Sequence, residues 1–215
     1  MIIEPFARRF NVLKNNNSHI QYVLDIGAYH GDFTDTVKSV WPTAIVRQIE
    51  ADDRQKQYLQ DNAIISLLGN KEDESVDFYT LSPDKITTGS SMYKEMTRHY
   101  TESTTLILKK PMTTIDALDK LYNFYGNWED LGLVKIDTQG SELLILAGAQ
   151  EFLSKKAPKY ILLECSIIQY NEGAPKIAEV VAYMNSINYQ IKDIVDLSYN
   201  DRTILQQTDI LFERL

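Results

Sequence analysis

Short apolar segments that alternate with amphipathic helical patterns constrain the fold of this chain more than any other feature. Each segment is apolar on both faces, which is typical of a strand buried in a parallel sheet. These segments cover residues 22–26, 44–50, 63–68, 133–137, 160–165 and 208–213. Helical spacing of apolar side chains predicts helices over residues 32–41, 52–63, 113–125, 141–154 and 175–187. The alternation predicts an α/β fold with a parallel sheet covered by helices on both faces.

The middle of the chain, residues 69–112, departs from this alternation. Residues 75–80 and 105–110 predict two inserted strands, and the stretch between them is too polar for a core. Long polar loops at the carboxyl ends of parallel strands tend to cover ligands. We therefore expect residues 82–104 to close over a substrate.

Composition sets the class of protein and of partner. The chain has 215 residues, 44% of them hydrophobic, and no linker-like stretch, so we expect one domain over residues 1–215 with an N-terminal extension at 1–20. A net charge of −8 disfavours a nucleic-acid partner. No apolar run is long enough to span a membrane. A single cysteine, Cys165, fits a reducing compartment and a buried thiol. We expect a cytoplasmic protein.

The stretch "YVLDIGAYHGDFT" follows the pattern of a ligand-binding turn, with Gly27 directly after a strand and Gly31 opening a helix. Glycine there lets backbone N–H groups approach a ligand. A dinucleotide would need the G-x-G-x-x-G fingerprint, but Tyr29 and Asp32 stand at glycine positions, and the Asp32 carboxylate would face a pyrophosphate. S-adenosylmethionine has no phosphate and tolerates that carboxylate, so the turn favours it over NAD.

Two further carboxylates support this ligand class. Asp25 ends the first strand and suits the ammonium group of S-adenosylmethionine, directly or through water. Glu50 ends the second strand, about twenty residues past the turn, and can accept two hydrogen bonds from a ribose diol. A purely structural alternative remains open, in which the glycines permit a tight turn and Glu50 is a charge favoured by a helix dipole.

The first stretch resembles motif I of class I S-adenosylmethionine-dependent methyltransferases. A second stretch, "LVKIDTQGSELLILAGAQEFL" at 133–153, is similar to the I-K-I-D-x-x-G-x-E-x-x-x-L-x-G-A block of the FkbM methyltransferase family, and "TTIDALDKL" and "YILLECS" match that family's layout. The resemblance extends over residues 22–213. It implies a Rossmann-like three-layer sandwich with a seven-stranded, mostly parallel sheet and an antiparallel last strand.

The resemblance also implies a donor site along the ends of the first strands. The residues implied are Asp25, Gly27, Gly31 and Thr34 at the methionine end, Glu50 at the ribose, Leu68, Gly69 and Asn70 beside the adenine, Ser90 and Ser91 in a small-residue loop, and Asp137 facing the methyl group. Their neighbours Ala28, Tyr29, His30 and Ala51 complete the predicted site. The family often has Asn where Tyr29 or His30 stands.

An alcohol acceptor must lose a proton during methyl transfer, so the site needs a general base. Asp137 is the first candidate, Glu164 at the end of the next strand is the second, and His99 in the polar middle stretch is the third. Two adjacent carboxylates could raise one pKa by repulsion or bind Mg²⁺, which stays open but is not predicted. Glu164 could equally be a structural carboxylate.

The expected activity is O-methylation of a hydroxyl on a sugar, glycoside or secondary metabolite, a substrate class that comes from the resemblance. The stretch "DTQG" stands where amino methyltransferases of nucleic acids have Asn/Asp-Pro-Pro-Tyr, which argues further against nucleic acid. Two alternatives stay open: another small-molecule acceptor, and a non-catalytic cofactor-binding module. A homodimer is compatible with the sequence.

Overall fold

A computed structural model describes residues 1–16, 19–82, 88–96, 100, 104–122, 124, 131–200 and 203–215. The strands are β1 (Tyr22–Ile26), β2 (Ile45–Glu50), β3 (Ile64–Ile65), β4 (Leu67–Leu68), β5 (Asp73–Leu81), β6 (Thr105–Thr113), β7 (Leu131–Ile136), β8 (Tyr160–Ser166), β9 (Tyr189–Tyr199) and β10 (Leu205–Arg214). The helices are α1 (Glu4–Asn15), α2 (Asp32–Val40), α3 (Ile115–Tyr122), α4 (Glu142–Ala147), α5 (Gln150–Lys156) and α6 (Ile177–Ser186), with a 3-10 helix at Asp53–Tyr58.

Seven of these strands form one sheet in the order β3-β2-β1-β7-β8-β10-β9. The neighbours from β3 to β8 pair in parallel, whereas β10 is antiparallel to both β8 and β9. The predicted α/β class and the seven-stranded, mostly parallel sheet are confirmed. The strand order reverses between β1 and β7, and ligands of open parallel sheets bind at such a switch point, outside the carboxyl ends of the strands.

Two hydrophobic cores lie on opposite faces of this sheet. One face packs against α3, α4, α5 and α6 through residues such as Ile136, Phe152 and Met184. The other packs against α1 and α2. There the centre of the Phe10 ring lies 5.9 Å from that of Phe33 and 5.5 Å from that of Trp41. Helices on both faces and the sheet between them form the expected three layers.

The N-terminal helix α1 is an addition that the sequence analysis treated only as an extension. Phe6, Phe10 and Leu13 are buried against the sheet and α2. Their spacing of four and three residues is the period of one helix face, so the signal was present in the sequence. The structure therefore gives the first residues a packing role in the second core.

The middle segment contributes β5 and β6, which form a second, three-stranded sheet with β4 in the order β4-β6-β5. These two strands include the segments 75–80 and 105–110. The second sheet also divides the single strand predicted over 63–68, because β3 pairs with β2 while β4 pairs with β6. The change of partner at Ser66 breaks one apolar run into two short strands of different sheets.

Two predicted helices are shorter than expected. The segment 52–63 contains only the 3-10 helix Asp53–Tyr58, since Gln55 alone of its residues is buried and little apolar surface holds a longer helix. The segment 141–154 contains α4 and α5, interrupted at Gly148. A Cβ at Gly148 would lie 2.1 Å from the Gly69 carbonyl oxygen, so the chain approaches that loop as only glycine can.

Across the described parts of the chain, no helix combines the length and the apolar character that crossing a membrane requires.

Candidate functional site

A cavity of about 460 Å³ opens at the carboxyl ends of β1, β2, β7 and β8, where the strand order reverses. Its volume lies in the range of small-molecule sites, roughly 300–1,000 Å³. The predicted site residues that line it are Gly27, Ala28, Tyr29, His30, Glu50, Ala51, Leu68, Ser90, Ser91, Asp137 and Glu164. The structure thus brings together, around one cavity, residues that are more than a hundred positions apart in sequence.

Gly27 lets the turn after β1 lie directly against the end of β7. Its φ is +73°, and a Cβ there would lie 1.8 Å from the backbone oxygen of Asp137. The amides of Gly27 and Ala28 donate to the carbonyl of Ile49 on the other side, at 2.9 and 3.2 Å. The turn is therefore held between two strands, and no residue with a side chain fits at this position.

Glu50 stands at the end of β2 with its carboxylate facing the cavity. One oxygen, Oε2, accepts from the amide of Tyr29 and the other, Oε1, accepts from the amide of Asp52, each at 2.8 Å. Each carboxylate oxygen has a further lone pair available to a ligand. Burial raises the pKa of Glu50, while the two amide bonds act in the opposite direction.

Asp25 lies beneath the turn rather than in the cavity wall. It is fully buried, and its Oδ2 accepts from the Thr34 hydroxyl at 2.9 Å. The same hydroxyl accepts from the Gln48 amide at 2.9 Å. Asp25 and Thr34 therefore support the turn from behind, and in this structure they do not reach the position where a ligand would touch them.

Lys135 is a buried cation within β7 that the sequence analysis missed. Its Nζ donates to the Gly27 carbonyl at 2.6 Å and lies 3.5 Å from a carboxylate oxygen of Asp25 and of Asp137. Burial alone would lower the pKa of Lys135, but the surrounding Asp137, Asp25 and Glu50 carboxylates outweigh it and raise the pKa. The lysine inside the mostly apolar run "LVKID" could have indicated a buried cation from the sequence.

The two candidate carboxylates meet at the ends of β7 and β8 through one amide side chain. Gln139 Nε2 donates to Glu164 Oε2 at 2.7 Å and lies 3.4 Å from Asp137 Oδ1. Gln139 has a φ of +56°, a left-handed conformation that non-glycine residues rarely adopt. The strained residue thus places its amide between the two carboxylates.

The surroundings of Glu164 carry an excess of negative charge from neighbouring carboxylates. Burial, followed by the charges of Asp137 and Asp209, raises the pKa of Glu164 well above its ordinary value. Asp209 pairs with Glu164 across β10 and β8, and burial together with Asp137 raises its pKa to about 8. A carboxylate with a raised pKa is suited to accept a proton near neutral pH.

The turn "DTQG" after β7 is held by Glu142, the first residue of α4. Its Oε1 accepts from the Thr138 amide at 2.9 Å and from the Gly140 amide at 3.1 Å. Glu142 therefore caps these two amides and fixes the turn.

Residues 88–92 cover the cavity from the side of the second sheet. Ser91 exchanges two backbone hydrogen bonds with Tyr79 of β5, at 2.7 and 3.0 Å. Its hydroxyl donates to the carbonyls of Thr138 and Gln139, at 3.1 and 2.9 Å. This part of the segment 82–104 therefore lines the cavity, and its closing over a substrate stays a prediction; residues 83–87, 97–99 and 101–103 lie outside the described residues.

Several predicted site residues stand away from the cavity. Besides Asp25 and Thr34, the ones that do not line it are Gly31, Gly69 and Asn70. Gly31, with a φ of +82°, opens α2, and Gly69 packs against Met112 and Gly148. His99, the third candidate base, lies outside the described residues.

Three rings lie together at the turn; two of them, Tyr29 and His30, are stacked and line the cavity, and the third, Tyr58, is tilted. The Tyr29 and His30 rings are 3.9 Å apart and nearly parallel, and the Tyr58 ring lies 4.1 Å beyond His30. Tyr29 has a φ of +47°. Where the family often has Asn, this chain therefore places an aromatic stack.

Among the described residues, no group of three or more His, Cys, Asp or Glu side chains has the arrangement of a metal site. The Asp137–Glu164 pair is joined by the Gln139 amide instead.

A model of the Methyltransferase FkbM domain matches residues 25–191 of this sequence. No curated protein matches it. Solved structures with a similar fold include TrmK of M. capricolum in complex with S-adenosyl-homocysteine, at 14% identity over 96% of this chain and 67% of that one, with a TM-score of 0.47. A methyltransferase from Aquifex aeolicus gives 13% identity, 97% and 89% coverage and a TM-score of 0.46. These likenesses are too distant to indicate a substrate.

Proposed function

Because this chain belongs to the FkbM family of S-adenosylmethionine-dependent methyltransferases, we propose that it methylates a hydroxyl group of a sugar, a glycoside or a secondary metabolite. The observation that carries the proposal is the pair Asp137 and Glu164 in the wall of the cavity, joined by Gln139. A hydroxyl acceptor loses a proton as it is methylated, and this pair offers two carboxylates to receive it.

The cavity suits the donor that the family uses. Gly27 lets the turn after β1 close against the end of β7, and Glu50 keeps lone pairs for a ribose diol. Asp32, Glu50 and Asp52 in the wall would repel a pyrophosphate, so the cavity favours a phosphate-free nucleoside over NAD. Tyr29, His30, Ala28, Ala51 and Leu68 would complete the donor site.

When bound, the donor supplies a methyl group on a positively charged sulfur, which is already a good leaving group. The chain's own residues then need to position the acceptor and receive its proton. In the proposed scheme the oxygen of the acceptor would bond to the methyl carbon as the bond from that carbon to sulfur breaks and leaves a neutral thioether, and the acceptor's proton would pass to Asp137 or Glu164. Gln139 holds Glu164 in place by donating to Oε2.

The substrate class rests on the resemblance and on the charge of the protein. A net charge of −8 and five carboxylates in the cavity wall (Asp32, Glu50, Asp52, Asp137 and Glu164) disfavour a polyanionic acceptor. A neutral, hydroxylated small molecule or glycan carries no such penalty. Whether a nucleic acid can replace it is decided by the acceptor panel below.

The test compares Asp137→Asn and Glu164→Gln with the unmodified protein. Thermal shift with S-adenosylhomocysteine measures donor binding, and product formation on sugar, glycoside, phenol and RNA panels measures turnover. We expect both variants to retain donor binding and to lose turnover by about a hundredfold or more, the usual contribution of a general base. Asp77→Asn, which alters an exposed carboxylate on β5, is the matched control.

Three results would contradict the proposal. Stabilisation by NAD and not by S-adenosylhomocysteine would indicate an oxidoreductase. Donor binding with no turnover on any panel would favour the non-catalytic module. Turnover on RNA alone would replace the small-molecule acceptor with a nucleic acid.

A further inference from the structure

A series of hydrogen bonds, linked at one point through the backbone and side chain of Asp52, connects separate parts of the cavity wall. It begins at Glu50, whose Oε1 accepts from the Asp52 amide at 2.8 Å. The Asp52 carboxylate accepts from the Arg54 guanidinium, which also donates to the Thr80 hydroxyl at 2.5 Å. Thr80 and Ser90 hydroxyls are 2.7 Å apart. The series therefore runs from the end of β2, across the end of β5, to the segment that covers the cavity.

Arg54 is the junction of this series. Its Nε donates to both oxygens of Asp52, at 2.8 and 3.0 Å, and Nη2 donates to Asp52 Oδ2 at 2.5 Å. Nη1 donates to the carbonyl of Leu81 at 3.0 Å. Burial alone would raise the pKa of Asp52, but the bonds from Arg54 outweigh it and lower the pKa. The pair is thus ionised and bidentate, the strongest and most directional kind of side-chain contact.

The position of Arg54 relative to the cavity separates its role from direct binding. Asp52 and Ser90 line the cavity, whereas Arg54 and Thr80 do not. Ser91, next to Ser90, is bonded at its other side to the turn after β7. Besides the backbone bonds of Ser91 to Tyr79, side chains therefore fix the covering segment to the Asp137 side and, through Thr80, to Arg54.

We propose that Arg54 is a positioning residue that couples the donor-binding loop after β2 to the covering segment 88–92. This inference rests on the proposed function, because the ligand that touches Glu50 and Asp52 is taken to be the methyl donor. Contact of the donor with these carboxylates orients Asp52, Asp52 orients the guanidinium, and the guanidinium holds Thr80 and Ser90 over the cavity. Lysine cannot perform this role, since it lacks the planar fork that reaches several acceptors at once.

The test is a double-mutant cycle on the affinity for S-adenosylhomocysteine, measured by calorimetry. The variants are Arg54→Gln, Ser90→Ala and the double variant. Each single substitution is expected to weaken binding about five- to tenfold, the effect of losing one ordinary hydrogen bond. Because both break the same series, the double variant should be no weaker than the worse single one.

Hydrogen exchange of residues 88–92 gives a second readout, which would not depend on Arg54 if this residue only stabilised the fold. S-adenosylhomocysteine should protect these amides in the unmodified protein and protect them much less in Arg54→Gln or Arg54→Lys. Arg47→Gln is the matched control, because Arg47 lies on β2, does not line the cavity and donates to the Asn62 carbonyl at 2.9 Å. We expect it to change neither readout.

Multiplicative losses in the double variant, or unchanged protection of 88–92 in Arg54→Gln, would overturn the coupling. If Arg54→Gln does not fold, Thr80→Val cuts the same series while leaving the Arg54–Asp52 pair intact, and wild-type affinity in that variant would overturn the inference equally. Failure of the unmodified protein to bind S-adenosylhomocysteine at all would instead overturn the proposed function, which is a distinct result.

Discussion

Replacing Lys135 with methionine is the sharpest test of how the centre of the site is stabilised. Lys135 Nζ is the cation closest to Asp25 Oδ1 and also donates to the Gly27 carbonyl. Asp25 is fully buried, so the substitution leaves a carboxylate without a counter-charge where water cannot reach it. Breaking a buried ion pair by removing one partner costs about 3–5 kcal/mol.

That loss is a large part of the stability of an ordinary domain, about 5–15 kcal/mol. Urea unfolding at neutral pH, followed by circular dichroism, measures it as a shift in the unfolding midpoint. The control is the double variant Lys135→Met with Asp25→Asn, which removes both charges. Because no buried charge is then left unpaired, the double variant should regain most of the lost free energy.

Two results would refute this reasoning. A Lys135→Met variant that loses less than about 1 kcal/mol would show that the cation does not stabilise the buried carboxylate. A double variant as unstable as the single one would show that the loss comes from packing of the lysine chain and not from its charge.

Three further predictions concern single positions. Gly27→Ala must place a Cβ 1.8 Å from the Asp137 oxygen at a φ of +73°, so we expect calorimetry to find no binding of S-adenosylhomocysteine; unaltered affinity would contradict the tight turn. The folded pKa of Asp209 is about 8, above its unfolded value, so its contribution to the free energy of unfolding should fall as the pH rises from about 4 to about 8, by at most about 1.4 kcal/mol per pH unit. Because the raised pKa of Glu164 adds a decline of the same sign, urea titrations of Asp209→Asn should show a shallower decline than the wild type, and an unchanged decline would contradict this. Asp116 accepts from two amides in the first turn of α5, and Asp116→Ala should cost about 1–2 kcal/mol without changing donor affinity.

The sequence was sufficient for the parts of the fold that follow from local pattern. The segment 22–26 is predicted with its observed bounds, because a strand buried on both faces is mostly apolar and this one is bounded by a glycine turn. The division of 63–68 was not predictable, since β3 and β4 have the same apolar character and differ only in which distant strand they pair with.

The same distinction applies to the site. Gly27, Glu50 and Asp137 were identified because a strand end, a glycine and a carboxylate are visible in the sequence itself. Lys135 and Arg54 were missed because their roles depend on partners that are distant in sequence, such as the Gly27 carbonyl and Thr80. Sequence reasoning also placed Asp25 in the cavity, whereas burial and Lys135 hold it beneath the turn.

The direction of β10 has a consequence for how such an enzyme can diversify. Because β10 runs against its neighbours, its first half lies beside the carboxyl end of β8, and Gln207 of β10 and Ser198 of β9 line the cavity near Glu164. Glu50, at the opposite end of the cavity, belongs to β2, on the other side of β1 and β7 in the seven-stranded sheet. Substitutions in the β9–β10 hairpin can thus change the cavity wall near Glu164, while β2, which carries Glu50, and the turn at Gly27 remain unchanged.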